Sequence, residues 1–324
     1  MKYNIAIVGS GQLGSRHLQA LSLVKQPLNI WVIDPGTASL ETARLRWNEV
    51  AENTVHSIRF ESDLSVLPSD LFLVVVATSS MVRRKVIESL LQISTMKYLV
   101  LEKILFPCLE DYNIVRDKLS QKGVTTWVNC PRRQYPGYIQ LKNEIKDVPF
   151  VMTVNGSSWG FACNTIHWID IFSYLSNDHN VQITPFLDQH LIKSKREGYL
   201  ELSGMLTVTN VKGNKLVIQC FDGGDHPLEA HIELPGHSYF IEESKQRIQI
   251  RESGKDWKSE MAEFPVLRQS QLTNLITEDL IEQGTCQLTS LEESSMLHMP
   301  MIEVFLGKIN QYNNTPSNKL CPLT

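Results

Sequence analysis

The sequence predicts an α/β fold in which a doubly wound parallel sheet is followed by an α+β domain with an open, mainly antiparallel sheet. Three observations predict it. Over residues 1–128, short apolar runs alternate with longer segments of helical period, the pattern of parallel strands buried on both faces by crossover helices. A glycine-rich turn joins the first apolar run to the first helical segment. Beyond Asn129, strand-like runs follow one another across short polar turns, the pattern of an antiparallel sheet. The division falls between residues 1–128 and 129–324.

Each element has its own signal. Strands are expected at Asn4 to Val8, Asn29 to Ile33, Ser57 to Phe60, Leu71 to Ala77, Tyr98 to Leu101 and Thr125 to Val128. Helices fall between them, at Gln12 to Val24, Leu40 to Val50, Met81 to Gln92 and Leu109 to Lys122, punctuated by Asp34-Pro35-Gly36 and Gly123. In the second half a helix spans Tyr135 to Ile145 and a strand Phe150 to Trp159. Further strands are read at Leu200 to Thr207, Lys215 to Phe221, Ala230 to Leu234, Ser238 to Glu242 and Arg247 to Arg251. Gly223-Gly224-Asp225-His226 reads as a hairpin turn. Helices at Leu267 to Gln283 and Leu291 to Leu306 close the chain, and the tail from Asn310 is expected to fray or drape.

Composition excludes several functions. The 324 residues carry 31 Lys and Arg against 35 Asp and Glu, a net charge of -4, which leaves no excess of basic side chains for a phosphate backbone. The longest apolar stretch, Leu71 to Ala77, is far short of the ~20 residues a membrane span needs. The N-terminus lacks a signal peptide's apolar core and cleavage site. Six cysteines are scattered without a C-x-x-C pair or metal-ligand rhythm, as in a reducing compartment. A soluble cytoplasmic protein with no metal site, no nucleic-acid partner and no membrane partner is expected.

The sharpest motif is Gly9-Ser10-Gly11-Gln12-Leu13-Gly14 at the first strand-helix junction. Gly9 permits the tight turn, Gly11 lets the backbone approach a pyrophosphate, and Gly14 lets helix and strand pack closely. The helix N-terminus then presents free N–H groups to the phosphates. Asp34 closes the second strand about 20 residues on, where a carboxylate accepts from the ribose hydroxyls and repels a 2′-phosphate. Ser10, Gln12 and Leu13 complete the cofactor-binding loop, and NAD is expected over NADP. Arg44 and Arg46 on the next helix are read as a solvated face.

Three further segments make the chain resemble the glucose-fructose oxidoreductase / inositol dehydrogenase (Gfo/Idh/MocA) family: Ala77-Thr78-Ser79, Glu102-Lys103, and Trp159 to Asp170 with His167 and Asp170 in H-x-x-D spacing. The resemblance implies an N-terminal Rossmann domain and substrate bound between it and the C-terminal sheet. It implies homo-oligomers through the outer face of that sheet. It also implies that Ala77, Thr78, Ser79, Glu102 and Lys103 border the cofactor. Departures are Ser79 and Ile104 where the family has proline, Arg83 where it has histidine, and Cys163 where it has a catalytic acid.

Oxidising a carbinol carbon requires removal of the hydroxyl proton and stabilisation of the oxyanion. His167 is the candidate base, and Lys103 the candidate cation and proton-sharing group. At Cys163 three readings compete: a packing residue, a substrate contact, and a thiolate activated by His167. Asn164 and Asp170 are candidate contacts to substrate hydroxyls, and Trp159 either stacks on a sugar ring or fills the core. Arg132 and Arg133 either grip a substrate anion or neutralise nearby acids. The leading expectation is an NAD-dependent oxidoreductase acting on a hydroxyl-bearing carbon of a sugar, sugar acid or nucleotide sugar. A non-catalytic NAD-binding regulator or sensor is the alternative, and an imine- or pyrrole-reducing relative a third.

Overall fold

The computed structural model describes residues 2–51, 55–315 and 318–323. The chain forms two compact units, residues 1–106, 110–131 and 267–291 in the first, and 107–109, 132–266 and 292–324 in the second. The boundary expected near Asn129 therefore misses the return of 267–291 to the first unit.

In the first unit the elements run β1 (Tyr3–Val8), α1 (Gly14–Leu21), β2 (Leu28–Ile33), α2 (Thr37–Asn48), β3 (Ser57–Glu61), β4 (Asp70–Val76), α3 (Ser80–Ile93), β5 (Thr95–Leu101), α4 (Leu109–Gln121) and β6 (Thr125–Val128). All six strands are parallel, in the order β3-β2-β1-β4-β5-β6. The strand order reverses between β1 and β4, and in such sheets ligands bind beyond the carboxyl ends of the strands at that point. Helix α1 is shorter than its period suggested, because Ser22, Leu23 and Val24 turn back onto carbonyls three residues earlier and tighten its last turn.

The second unit contains α5 (Pro136–Ile145), β7 (Val151–Ser157), α6 (Phe161–Ser176), β8 (Val181–Leu187), β9 (Ile192–Lys193), β10 (Leu200–Glu201), β11 (Gly204–Asn210), β12 (Lys215–Phe221), β13 (Glu229–Leu234), β14 (His237–Glu242), β15 (Arg247–Glu252) and β16 (Ser259–Glu263). Eight of these strands form one sheet, ordered β16-β15-β14-β13-β7-β12-β11-β8, antiparallel except where β7 lies parallel to β12. Since β7 separates β12 from β13, residues 223–226 are a crossover and not the expected hairpin turn. The two edge strands were not legible: β8 contains Pro185, which demotes a run in sequence, and β16 is exposed throughout, so no apolar face marks it. The run expected from Leu200 to Thr207 breaks at Leu202-Ser203. Gly204 then approaches β8 so closely that a Cβ would sit 2.6 Å from the Phe186 carbonyl.

Next come α7 (Thr273–Glu282) and β17 (Thr289–Ser290), in the first unit, where β17 adds an antiparallel edge to β6. Ile276 and Leu280 of α7 join the core of Ile5, Ile7, Leu18, Leu21, Val32 and Val75. Burying each such side chain contributes ~1.5–3 kcal/mol, which accounts for this segment's membership. Helix α8 runs Leu291–Asn313, past the expected end at Leu306. Among the described residues of the tail, Cys321 and Leu323 are buried, Cys321 N–H donates to the Pro107 carbonyl, and the Pro322 carbonyl accepts from Leu200 N–H, so this part drapes against the unit. No helix among the described residues is long and apolar enough to cross a membrane.

Candidate functional site

The glycine turn follows β1, and its three glycines do different things. Gly9 adopts φ +89°, and Gly14 lies so close to it that a Cβ there would be 1.8 Å from the Gly9 carbonyl oxygen. At Gly11 a Cβ would meet nothing within 4 Å, so only Gly11 borders open space. Asp34, at the end of β2, accepts from Ser10 N–H through Oδ2 at 2.7 Å and from Gly36 N–H through Oδ1 at 2.8 Å. Arg46 is not merely a solvated side chain. Its guanidinium donates to the Gln12 carbonyl, to Gln12 Oε1 and to Ser15 Oγ at 2.9, 2.6 and 2.6 Å, bracing the turn. Leu13 is partly exposed, and its carbonyl accepts from Arg16 and His17 N–H.

The segments after β4 and β5 lie beside it. Ala77 N–H donates to the Val8 carbonyl, which seats Ala77-Thr78-Ser79 against the glycine turn. Ser79 then precedes the first turn of α3 without capping it through its side chain. Arg83, on α3, is buried and donates to the carbonyls of Thr78, Ile104 and Leu105. One guanidinium thus joins the segment after β4 to the segment after Lys103. Lys103 itself is half-buried, and the peptide that links it to Ile104 is cis.

Glu102, expected among the cofactor-binding residues, turns its carboxylate inward and is 3% exposed. Its Oε1 pairs with His17 Nε2 at 2.8 Å and accepts from Asn129 Nδ2. His17 Nδ1 meets Thr273 Oγ1 at 2.8 Å, and Gln269 bridges Asn129, His17 and Thr273. Burial pushes the Glu102 carboxyl up, but the hydrogen bond and charge of His17, with Asn129 and nearby Lys103, bring it below the usual carboxylate range. This network also accounts for the late start of α7. Residues 269–271 form a 3-10 turn, with Gln269 serving the network instead of extending the helix.

In the second unit the candidate residues collect on α6. Of its sixteen residues thirteen are buried, and the other three are Cys163, Asn164 and His167, which lie along one stripe. Cys163 Sγ donates to the Gly160 carbonyl at 3.3 Å, an arrangement that suits a thiol and not an activated thiolate. Asn164 Nδ2 donates to the Trp159 carbonyl at 3.0 Å. Trp159 is half-buried, its Nε1 on the Gln219 carbonyl and its ring edge-on to Phe161.

Asp170 does not join the stripe. It is buried, and both its oxygens accept from Arg133, whose Nη1 also reaches Glu293 at 3.4 Å. Arg132 likewise pairs with Glu243 through Nε and Nη2, with its guanidinium 4.0 Å from the Trp168 ring centroid. Both arginines neutralise acids of their own unit. Arg133 and Asp170, expected as separate substrate contacts, satisfy each other because neither charge is stable in that burial alone.

Residues 3–130 match the model of an oxidoreductase family with an NAD-binding Rossmann fold, Gfo/Idh/MocA. Over these residues, fewer than half of the chain, the protein resembles that family. Gfo/Idh/MocA proteins bind NAD there, and the turn fits such a group. The space over Gly11 is open, and the buried Ser10 Oγ and Thr78 Oγ1 have no hydrogen-bond partner among the described residues.

Solved structures extend the likeness beyond that domain. An oxidoreductase from Agrobacterium radiobacter in complex with NAD+, L-tartaric acid and magnesium is 13% identical, with TM-score 0.71 over 98% of this chain and 97% of that one. UDP-N-acetylglucosamine 3-dehydrogenase GnnA from Acidithiobacillus ferrooxidans is 12% identical, with TM-score 0.70 over 94% and 97%. A super-repressor mutant of Gal80p from Saccharomyces cerevisiae is 15% identical, with TM-score 0.71 over 98% and 100%. At these identities the likeness is one of fold. No curated protein matches the chain in sequence.

Two features of the chain emerge only in the structure. Arg83 stands in the sequence only as a departure from the histidine expected there, yet it draws the segments after β4 and β5 together. His17 was passed over, although a histidine three residues after Gly14 on a buried helix face, with a Glu-Lys pair ending a later strand, was the available signal.

Proposed function

We propose that the chain is an NAD-dependent oxidoreductase that transfers a hydride between the nicotinamide and a hydroxyl-bearing carbon of a sugar, sugar acid or nucleotide sugar. The observation that carries this reading is the stripe of α6, where a helix otherwise buried leaves Cys163, Asn164 and His167 accessible. The likeness in fold to a nucleotide-sugar dehydrogenase supports the substrate class. Bound NAD supplies the hydride acceptor or donor.

His167 takes the hydroxyl proton as general base, or returns it in the reverse direction. Lys103 provides the positive charge that holds the forming alkoxide. Asn164 donates to or accepts from a neighbouring hydroxyl, and Cys163 packs beside it. Asp34 selects NAD, since its carboxylate accepts from ribose hydroxyls and repels a 2′-phosphate. Ala77, Thr78 and Ser79 border the cofactor opposite the glycine turn. The six free cysteines support residence in a reducing compartment such as the cytoplasm, and the outer face of the eight-stranded sheet is the surface assigned to homo-oligomer formation.

The test is to follow nicotinamide absorbance with NAD and a panel of sugars, sugar acids and nucleotide sugars. Turnover is expected for at least one, with Lys103→Met and His167→Asn each lowering kcat by about a hundredfold or more. The absence of turnover, with NAD bound and a panel member altering only affinity for another macromolecule, would establish the second reading, a regulator. The fold likeness to Gal80p and the absence of a carboxylate at Cys163 favour that reading.

A further inference from the structure

Helix α1 starts at the glycine turn without the acidic side chains that stabilise a helix N-terminus. Its first turn holds Arg16 and no acid, and no side chain caps it from Leu13. The N–H groups of Gly11, Gln12 and Leu13 donate to nothing among the described residues. Unsatisfied donors therefore collect beside the open space over Gly11, at the positive end of the helix.

Arg46 brings a second cation to this place from α2. It is half-buried, and its guanidinium donates to the Gln12 carbonyl, to Gln12 Oε1 and to Ser15 Oγ. All three acceptors are neutral, so none of them balances the charge. Burial and the nearby Arg16 charge pull Arg46 below the usual arginine value, and Glu49 acts the other way. The backbone is fixed as well: Gln19, on α1, donates to the Arg46 carbonyl at 3.0 Å and to Glu49 Oε2 at 3.2 Å. Two guanidinium groups at the positive end of one helix oppose each other and the helix dipole, and a bound phosphate relieves both conflicts.

We propose that Arg46 is a cofactor-binding determinant: the cation that Gln12 and Ser15 hold at the glycine turn is balanced by the pyrophosphate of bound NAD. Its forked guanidinium positions the turn at Gln12, and its charge adds to the attraction of the helix start. This role requires only that NAD bind there and is independent of the substrate.

The test compares wild type, Arg46→Met and Arg46→Lys by calorimetric titration with NAD, ADP-ribose and NADP, and by denaturant unfolding without ligand. Titrations are made in about 0.1 M and about 1 M potassium chloride, where charges are screened beyond about 10 Å and about 3 Å. Methionine keeps much of the stem and removes the charge. Lysine keeps the charge as a compact ammonium that cannot fork across the three acceptors.

Wild-type affinity for NAD is expected to fall with salt. Arg46→Met is expected to weaken NAD and ADP-ribose about tenfold at the lower salt and about threefold at the higher one. Arg46→Lys is expected to lose about threefold or less at the lower salt and to keep the wild-type salt dependence, and it carries the test if the methionine variant unfolds. Wild-type NAD affinity in the methionine variant, even with a lowered unfolding midpoint, would make Arg46 a brace only and overturn the role. The role is also overturned by a loss that is equal at both salts and as large with lysine as with methionine. A loss confined to NADP overturns it too, since Arg46 would then serve a 2′-phosphate. If wild type binds no NAD, the cofactor assignment falls and this role with it.

Discussion

Arg133 and Asp170 form a two-pronged buried ion pair, with Nε and Nη2 of the guanidinium 2.9 and 2.8 Å from the two carboxylate oxygens. Their side chains are 7% and 1% exposed, so each charge needs compensation within the protein. Arg133→Met is expected to destabilise the protein by about 3–5 kcal/mol, because it leaves a buried carboxylate uncompensated. The double variant Arg133→Met/Asp170→Leu should recover much of that loss, as denaturant unfolding of the three proteins would show. Equal losses in the single and double variants would mean that the pair is not coupled.

The glycine turn separates folding from binding. Gly14→Ala places a Cβ 1.8 Å from the Gly9 carbonyl oxygen, and is expected to cost at least about 3 kcal/mol. Gly11→Ala meets no neighbour and should leave stability within about 0.5 kcal/mol, yet lower NAD affinity at least about tenfold by filling the pyrophosphate approach. Thermal unfolding and NAD titration of both variants distinguish the two roles.

Arg83 satisfies three carbonyls from two segments. Replacing it by methionine keeps the stem and strands these acceptors, at a cost of about 1–3 kcal/mol for each one that water cannot reach. Loss of NAD affinity together with stability is expected, measured by titration against the unfolding midpoint. An Arg83→Met protein with wild-type affinity and midpoint would show that the segments after β4 and β5 hold without it.

Glu293 makes stability depend on pH. The hydrogen bond from His179 draws its carboxyl down to about 2 from 4.5, against burial, with Arg133 adding its charge. A carboxyl depressed in the folded state contributes stability that is complete above about pH 4.5 and is lost as pH falls toward 2. Because the side chain is 36% exposed, solvent screening limits the contribution to about 1 kcal/mol. Denaturant unfolding of wild type and Glu293→Gln should therefore differ near pH 5 and converge as pH falls toward 2.

Much of the first unit is readable from periodicity. β6 falls where the apolar run places it, and most of the other parallel strands differ by a residue or two, because strands buried on both faces must be continuously apolar. The edge strands β8 and β16 were not readable, since one carries a proline and the other has no buried face. The same distinction holds at the site. Glycine spacing and Asp34 are local constraints and stand in the sequence, as do Cys163, Asn164 and His167 at helical spacing.

Glu102 and Asp170 were read as ligand contacts because residue type and position carry no information about which partner a charge will find. The sequence by itself determined the fold class, the cofactor turn and the stripe of α6, since each depends on neighbours within a few residues. Only the tertiary structure decided which polar side chains are spent inside the protein: His17 on Glu102 and Arg133 on Asp170. The reason is desolvation. A buried charge must be paired, and the pairing is set by which segments, up to 160 residues apart for Arg133 and Glu293, are packed together.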